Sequence, residues 1–285
     1  MIGRIAFGLF FLLLIWGNLV AGMAAGLGCP DWPLCHGRVI PPGQLDIWME
    51  FGHRLIAAAA TVSLLLLARD RFRKYAGMAR AVPVVALALV AVEIVLGGVV
   101  VLLELPTDFT TIHFGIGLSV FLLVAYMAAH DGVSRVPRLS LSGHAGLFFG
   151  IGARLFFQLV LGAFVRHSDS GLACTDFPKC AGSWLPDVSS GKPFIQFVHR
   201  LVAYLVFLTT AVLCIMTRVD DRLDAYREAA LVLLLVCLLQ VAVGAAVVLT
   251  HLIPAVAAVH LAVALVMIII VGKMWAKAAG SGGAS

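Results

Sequence analysis

The stretch CPDWPLC at residues 29–35 comes back as CTDFPKC at residues 174–180. Each copy is followed by a histidine-arginine-leucine, first in EFGHRL at 50–55 and then in QFVHRL at 196–201. Cys29 and Cys174 are 145 residues apart, and so are Cys35 and Cys180. His53 and His199 are 146 apart; His113 and His260, like Gly97 and Gly244, are 147 apart. A near-constant offset along a whole chain is the mark of an internal duplication. The 285 residues are therefore two copies of one unit.

Composition says what the unit is. The chain is 62% hydrophobic and 12% charged, with a mean hydropathy of +1.05. An ordinary soluble domain carries about 25% charge. A bilayer is crossed by a helix of about 20 apolar residues, and eight such stretches are expected at 5–24, 50–68, 82–103, 110–129, 145–165, 194–216, 229–249 and 254–275. The first has only Arg4 as a charged flank and is long enough to span, so it reads as a span and not as a leader. The expected fold is an all-α integral membrane protein of eight transmembrane helices, arranged as two tandem four-helix bundles. Four spans per unit make the copies parallel. The expected units are 1–130 and 144–278, with a linker at 131–143 and a flexible tail at 279–285.

Lys and Arg collect in cytoplasmic loops. Arg69, Arg71, Arg73, Lys74 and Arg80 follow span two, Arg135 and Arg138 follow span four, Arg218, Arg222 and Arg227 follow span six, and Lys273 and Lys277 close span eight. With Arg4 they all fall on one side if there are eight spans. Both termini are thus expected in the cytoplasm and both Cys-loops on the outer face of a prokaryotic-type plasma membrane. The net charge of +5 is a topology signal and implies lipid, not nucleic acid, as the surroundings.

An outer loop lies in an oxidising compartment, so disulfides Cys29–Cys35 and Cys174–Cys180 are expected. Free thiols are the alternative. A zinc site lacks its four ligands in either loop.

Each unit keeps one pair of histidines, His53 with His113 and His199 with His260. All four stand in the first turns of spans that start at the outer face. Two imidazoles at one depth on different helices suit a haem held in a bundle core. Hydrogen bonding between helices is the plainer alternative. Arg54 and Arg200, next to the first histidine of each pair, would reach a haem propionate or snorkel to lipid headgroups.

The halves are not identical. Glu50, one helix turn before His53, has Gln196 as its counterpart; Glu93 has Gln240; Arg166 has Ala21. A carboxyl group can move protons and an amide cannot. The first unit is therefore the one equipped for chemistry.

Eight spans, a duplicated four-helix unit, CPDWPLCHG in the first outer loop, EFGHRL opening span two and the remaining histidines together resemble the haem A synthase family of cytochrome oxidase assembly enzymes. The resemblance covers nearly the whole chain, and cysteines in both outer loops fit a subset of that family. It implies oxidation of a methyl group of haem O to a formyl group, giving haem A. It also implies a resident haem b on His199 and His260, the substrate haem on His53 and His113, and Glu50 as an aid to the oxidation. It gives Cys29–Cys35 a redox or structural role at the substrate side. Haem O synthase, oxidase assembly factors and a second copy of the chain are the partners it suggests. One departure stands out. Many members carry a Thr-Arg-Leu-Thr-like stretch where this chain has NLVAGMAAG at 18–26. If such an arginine holds a propionate, as the resemblance implies, Arg166 keeps that cation in the second half and the first half lacks it. The rival reading is a bis-haem b membrane electron carrier, which uses four histidines equally well and leaves Glu50 unused. A transporter is a third, and the sequence shows no broken midplane helix for it.

Overall fold

The computed structural model describes residues 1–133, 138–180, 182–184, 189 and 191–281. Its helices, in chain order, are α1 (Ile2–Gly22), α2 (Leu45–Lys74), α3 (Ala81–Leu102), α4 (Thr107–Ala129), α5 (Gly143–His167), α6 (Gly191–Val219), α7 (Arg227–Leu249) and α8 (Pro254–Ser281). Short 3₁₀ turns at Gly77–Arg80 and Asp221–Tyr226 lead into α3 and α7. All eight helices are long and apolar enough to cross a membrane. With both disulfides formed, the chain is an all-α integral membrane protein.

The two longest helices overrun their expected limits at both ends. α2 has 30 residues and α6 has 29, where a bilayer needs about 20. Hydropathy sees only the apolar middle. The charged ends continue the helix, with Asp46 in the first turn of α2 and Arg71, Arg73 and Lys74 in its last, each charge matched to the helix dipole. At the other end of the chain, the expected flexible tail at 279–285 is helical through Ser281, and Ala279 is 4% exposed. The rest of that tail lies outside the described residues, as do 134–137 of the expected linker.

The chain forms two compact units, Met1–Leu139 and Ser140–Ser285. In the first, α1 and α3 each pack against both α2 and α4. In the second, α5 and α7 each pack against both α6 and α8. The half of the first unit away from the Cys-loop is filled by Leu64, Leu67, Leu118, Phe121 and Val124, all fully buried. Phe7 of α1 lies 5.4 Å from the Phe121 ring. Glu50, His53 and His113 lie in the half beneath the loop, near the starts of α2 and α4.

The duplication is visible in the backbone. α1 and α5 both end in a left-handed residue, Ala24 and Asp169 (φ 52° and 53°). The next N–H reaches back to Val20 O at 2.9 Å in one and to Val165 O at 3.0 Å in the other. The turns from α3 to α4 and from α7 to α8 match as well. Leu105 N–H bonds Val100 O, and Leu252 N–H bonds Val247 O, both at 2.8 Å. These hydrogen bonds hold non-glycine residues in a conformation that costs roughly 1 kcal/mol or more each.

Candidate functional site

Each histidine has a fixed seat. His53 and His199 are the ninth residues of α2 and α6, and His113 and His260 are the seventh residues of α4 and α8. Every ring lies against a glycine of the helix before it in the chain. A methyl group added to Gly17 would stand 3.0 Å from His53 Cε1, and one on Gly97 would stand 3.2 Å from His113 Cε1. In the second unit the distances are 3.2 Å from Gly162 to His199 and 2.8 Å from Gly244 to His260. A side chain at Gly244 would force the His260 ring to shift, and one at the other three would press its ring aside by a few tenths of an ångström, so each glycine lets its ring lie close to the neighbouring helix.

Within each unit the two rings act on one another. His53 and His113 are close enough to feel each other's charge, as are His199 and His260. All four are half-buried. Nδ1 of His53, His113 and His260 is shut away from solvent without a hydrogen-bond partner. A buried polar nitrogen left unpaired is costly and asks for a reason. Among the described residues, no three His, Cys, Asp or Glu side chains gather round one point. Two imidazoles per unit, within charge range of one another, fit a macrocycle that brings its own equatorial donors; they are too few ligands for a bare ion.

Glu50 and Gln196 are both buried, at 6% and 4% exposure, and they do different things. Glu50 Oε1 accepts from Arg54 Nε at 3.1 Å. Gln196 Nε2 donates weakly to Gly171 O at 3.4 Å. Glu93 and Gln240 repeat the contrast beside the other histidine. Glu93 Oε1 lies 3.2 Å from His113 Nδ1, in contact but off the line of a straight hydrogen bond, since neither that nitrogen nor Glu93 Oε2 has a hydrogen-bond partner. Gln240 Nε2 lies 3.3 Å from His260 Nε2. The first unit thus has two carboxyl groups where the second has two amides.

The arginines expected at propionates hold the Cys-loops. Arg54 donates from Nη1 to Asp31 O (2.8 Å) and Leu34 O (2.7 Å), and from Nη2 to Cys29 O (2.9 Å). With Glu50, that uses four of the five N–H donors of a guanidinium. Arg200 donates to Lys179 O and, at 2.9 Å, to Cys174 O; among the described residues these are two of its five. Its guanidinium also lies 5.9 Å over the Phe177 ring. Arg166 is half-buried on the last turn of α5, within range of the Asp169 charge.

Both loops are built alike. Cys35 and Arg38 exchange backbone hydrogen bonds, and so do Cys180 and Ser183. Asp31 accepts from the N–H of His36 at 2.6 Å and of Gly37 at 2.7 Å; Asp176 accepts from Gly182 N–H at 2.8 Å. The Gly37 N–H, helped by His36 and the Arg54 charge against some desolvation, holds the Asp31 carboxyl below its usual range. Cys29 and Cys35 are packed under the loop with Ile47 and Phe51 of α2. Trp32 lies over α3, where a methyl group on Gly98 would stand 3.0 Å from its ring. Of the adjacent glycines 97 and 98, one makes room for the histidine and the other for the loop.

Three features escape the sequence reading. Gln158 of α5 places its amide 3.1 Å from His199 Nδ1 and 3.0 Å from His199 O. Its counterpart at offset 145 is Leu13, so a lone polar residue in an apolar span was the available signal. Arg154, at the middle of α5 and bonded to Thr209 of α6, was marked in the same way. Gly17 and Gly162 carried no signal of their own, because a glycine declares its partner only across the helix interface.

Comparison with known proteins gives the family. Residues 2–271 match the family model described as cytochrome oxidase assembly protein. A protein of Shouchella clausii named heme A synthase is 33% identical over 254 residues, covering 84% of this chain and 83% of its own. One of the same name from Geobacillus thermodenitrificans is 32% identical, over 84% and 78%. A third, from Halalkalibacterium halodurans, is 29% identical over 72% of each chain. The chain belongs to the cytochrome oxidase assembly family that includes the haem A synthases.

Proposed function

We propose that this protein is a haem A synthase, an oxidoreductase that converts the methyl group of haem O to a formyl group and so supplies haem A for oxidase assembly. The observation that carries the assignment of roles is the exchange of Glu50 and Glu93 for Gln196 and Gln240 around otherwise matching histidine pairs. His53 and His113 bind the substrate haem O in the first unit, and His199 and His260 hold a resident haem b in the second. When bound there, haem b supplies a one-electron redox iron. Glu50 is the catalytic carboxyl group of the first unit. It is fixed by Arg54, lies within charge range of His113, and offers a proton acceptor that Gln196 cannot replace.

The arginines and loops complete the pockets. Arg200, with three N–H donors not engaged by the described residues, and Arg166 bind propionates in the second unit. Arg54 has one donor left for that task, so it serves mainly as a clamp on the loop and on Glu50. The concentration of Lys and Arg at the end away from the Cys-loops supports a topology with both termini in the cytoplasm and both disulfides on the outer face.

The direct test supplies haem O to the purified protein and analyses the extracted haem. The wild type yields haem A. Glu50→Gln keeps its haem content and loses about a hundredfold in conversion, the scale of a positioned acid or base. Two permanently held haems b and no haem A from any supply would instead support an electron carrier. Wild-type conversion by Glu50→Gln would make the carboxyl a bystander.

A further inference from the structure

Glu93 is the less obvious of the two carboxyl groups. It sits in the apolar middle of α3, thirteenth of 22 residues, where an ionisable side chain is expensive and marks function. Stability does not account for it. Oε2 is buried with no partner, and among the described residues no cation faces Oε1, only the ring of His113 at 3.2 Å.

The neighbouring helix is shaped to admit it. Gly117 lies one turn below His113 on α4, and a methyl group there would stand 2.7 Å from Glu93 Oε1. At offset 147 the second unit has Ala264 in place of Gly117, alongside Gln240 in place of Glu93. The carboxyl group and the space it fills therefore come as a pair, and the other half of the duplication has lost or never gained both.

We propose that Glu93 is the positioning residue of His113: its carboxyl group, seated on Gly117, holds the Nδ1 edge of the ring toward α3 and leaves Nε2 as the ligand nitrogen. This rests on the haem reading of the first unit. A carboxyl group this close to Nδ1 favours the tautomer with its proton on that nitrogen, and such a neighbour makes the imidazole a stronger donor. A stronger axial donor stabilises oxidised iron and lowers its potential. Gln240 lies instead against Nε2 of His260 and provides no such push. The two pockets then differ at the ligand itself as well as at Glu50, with the more electron-rich imidazole on the substrate side.

The experiment loads the full-length protein with haem b at both sites and follows the potentials and the low-spin electron paramagnetic resonance signals of the two irons. His113→Ala identifies the signal of the first unit. In E93Q the midpoint of that haem moves up while the second haem stays put. Loss of the first haem alone from E93Q, with the second retained as evidence of folding, also supports the proposal. G117A keeps the carboxyl group and removes its seat, and it shifts the first haem in the same direction. An E93Q or G117A protein in which both potentials and both signals match wild type overturns the proposal. If His113→Ala leaves both signals intact, the haem reading of the first pair fails, and the proposal falls with it by a separately recognisable route.

Discussion

Glu50 with Arg54 and Gln196 with Arg200 are the same piece of structure made twice. In the first unit the arginine is nearly saturated, by a carboxyl group and three loop carbonyls. In the second, among the described residues, it holds two carbonyls, and the neighbouring amide reaches back to Gly171. One residue exchange has thus changed the company of the arginine as well as its own chemistry. A tandem repeat provides its own control here. Whatever the halves share serves to build a pocket, and whatever they do not share serves to make one pocket different.

The largest break in the comparison comes from the histidines. His199→Ala or His260→Ala should abolish the resident low-spin haem spectrum, since a methyl group cannot ligate iron. His53→Ala or His113→Ala should leave that spectrum and lose haem O. An unchanged spectrum in both second-unit variants would undo the assignment of the resident site.

Next come the disulfides. A closed loop of this size contributes about 2–3 kcal/mol through the unfolded chain. Changing Cys174 and Cys180 to serine should lower the thermal midpoint and the retention of haem b. The same change at Cys29 and Cys35 should alter haem O occupancy and leave haem b in place. Identical behaviour of the two double variants would show that the loops do not divide their labour.

A smaller effect is expected at Arg54. Lysine keeps the charge but has three donors and no planar fork, so Arg54→Lys should lose part of the loop contacts, at about 1 kcal/mol for each. The Cys29–Cys35 bond should become easier to reduce, as read by thiol labelling. Arg200→Lys has fewer contacts to lose and should change labelling of its own loop less.

The smallest concerns Asp31. Its carboxyl is held below the usual range, so the folded loop favours the charged form. That contribution is full above the ordinary aspartate value of about 4 and is lost as pH falls through the depressed one. Labelling after mild reduction should therefore rise in acid. Asp31→Asn should show the loosened loop already at neutral pH and flatten the profile.

Much of this architecture was legible because hydropathy and repeat offsets are properties of the chain in one dimension. The spans, the loops and the histidine pairs could be read that way. What escaped depends on contact between helices. Nothing local to Gly17 says that His53 will lie against it, and the loop carbonyls that claim Arg54 belong to a chain segment 20 to 25 residues away. Gln158 and Arg154 were within reach, since each is a polar break in an apolar span. The overrun of α2 to Leu45 and Lys74 was hidden because charge at a helix end looks like a loop to a hydropathy window.

The four glycines beneath the histidines also decide which errors this chain can survive. Most positions on a lipid-facing helix accept any apolar side chain, so mutation drifts freely there. At residues 17, 97, 162 and 244 the smallest step away from glycine is one methyl group, and that methyl group would land within 3.2 Å of an imidazole. A histidine can be lost in many ways at its own codon. Here each has a second address, on another helix, where a change leaves the histidine in the sequence and crowds the place where its ring stands.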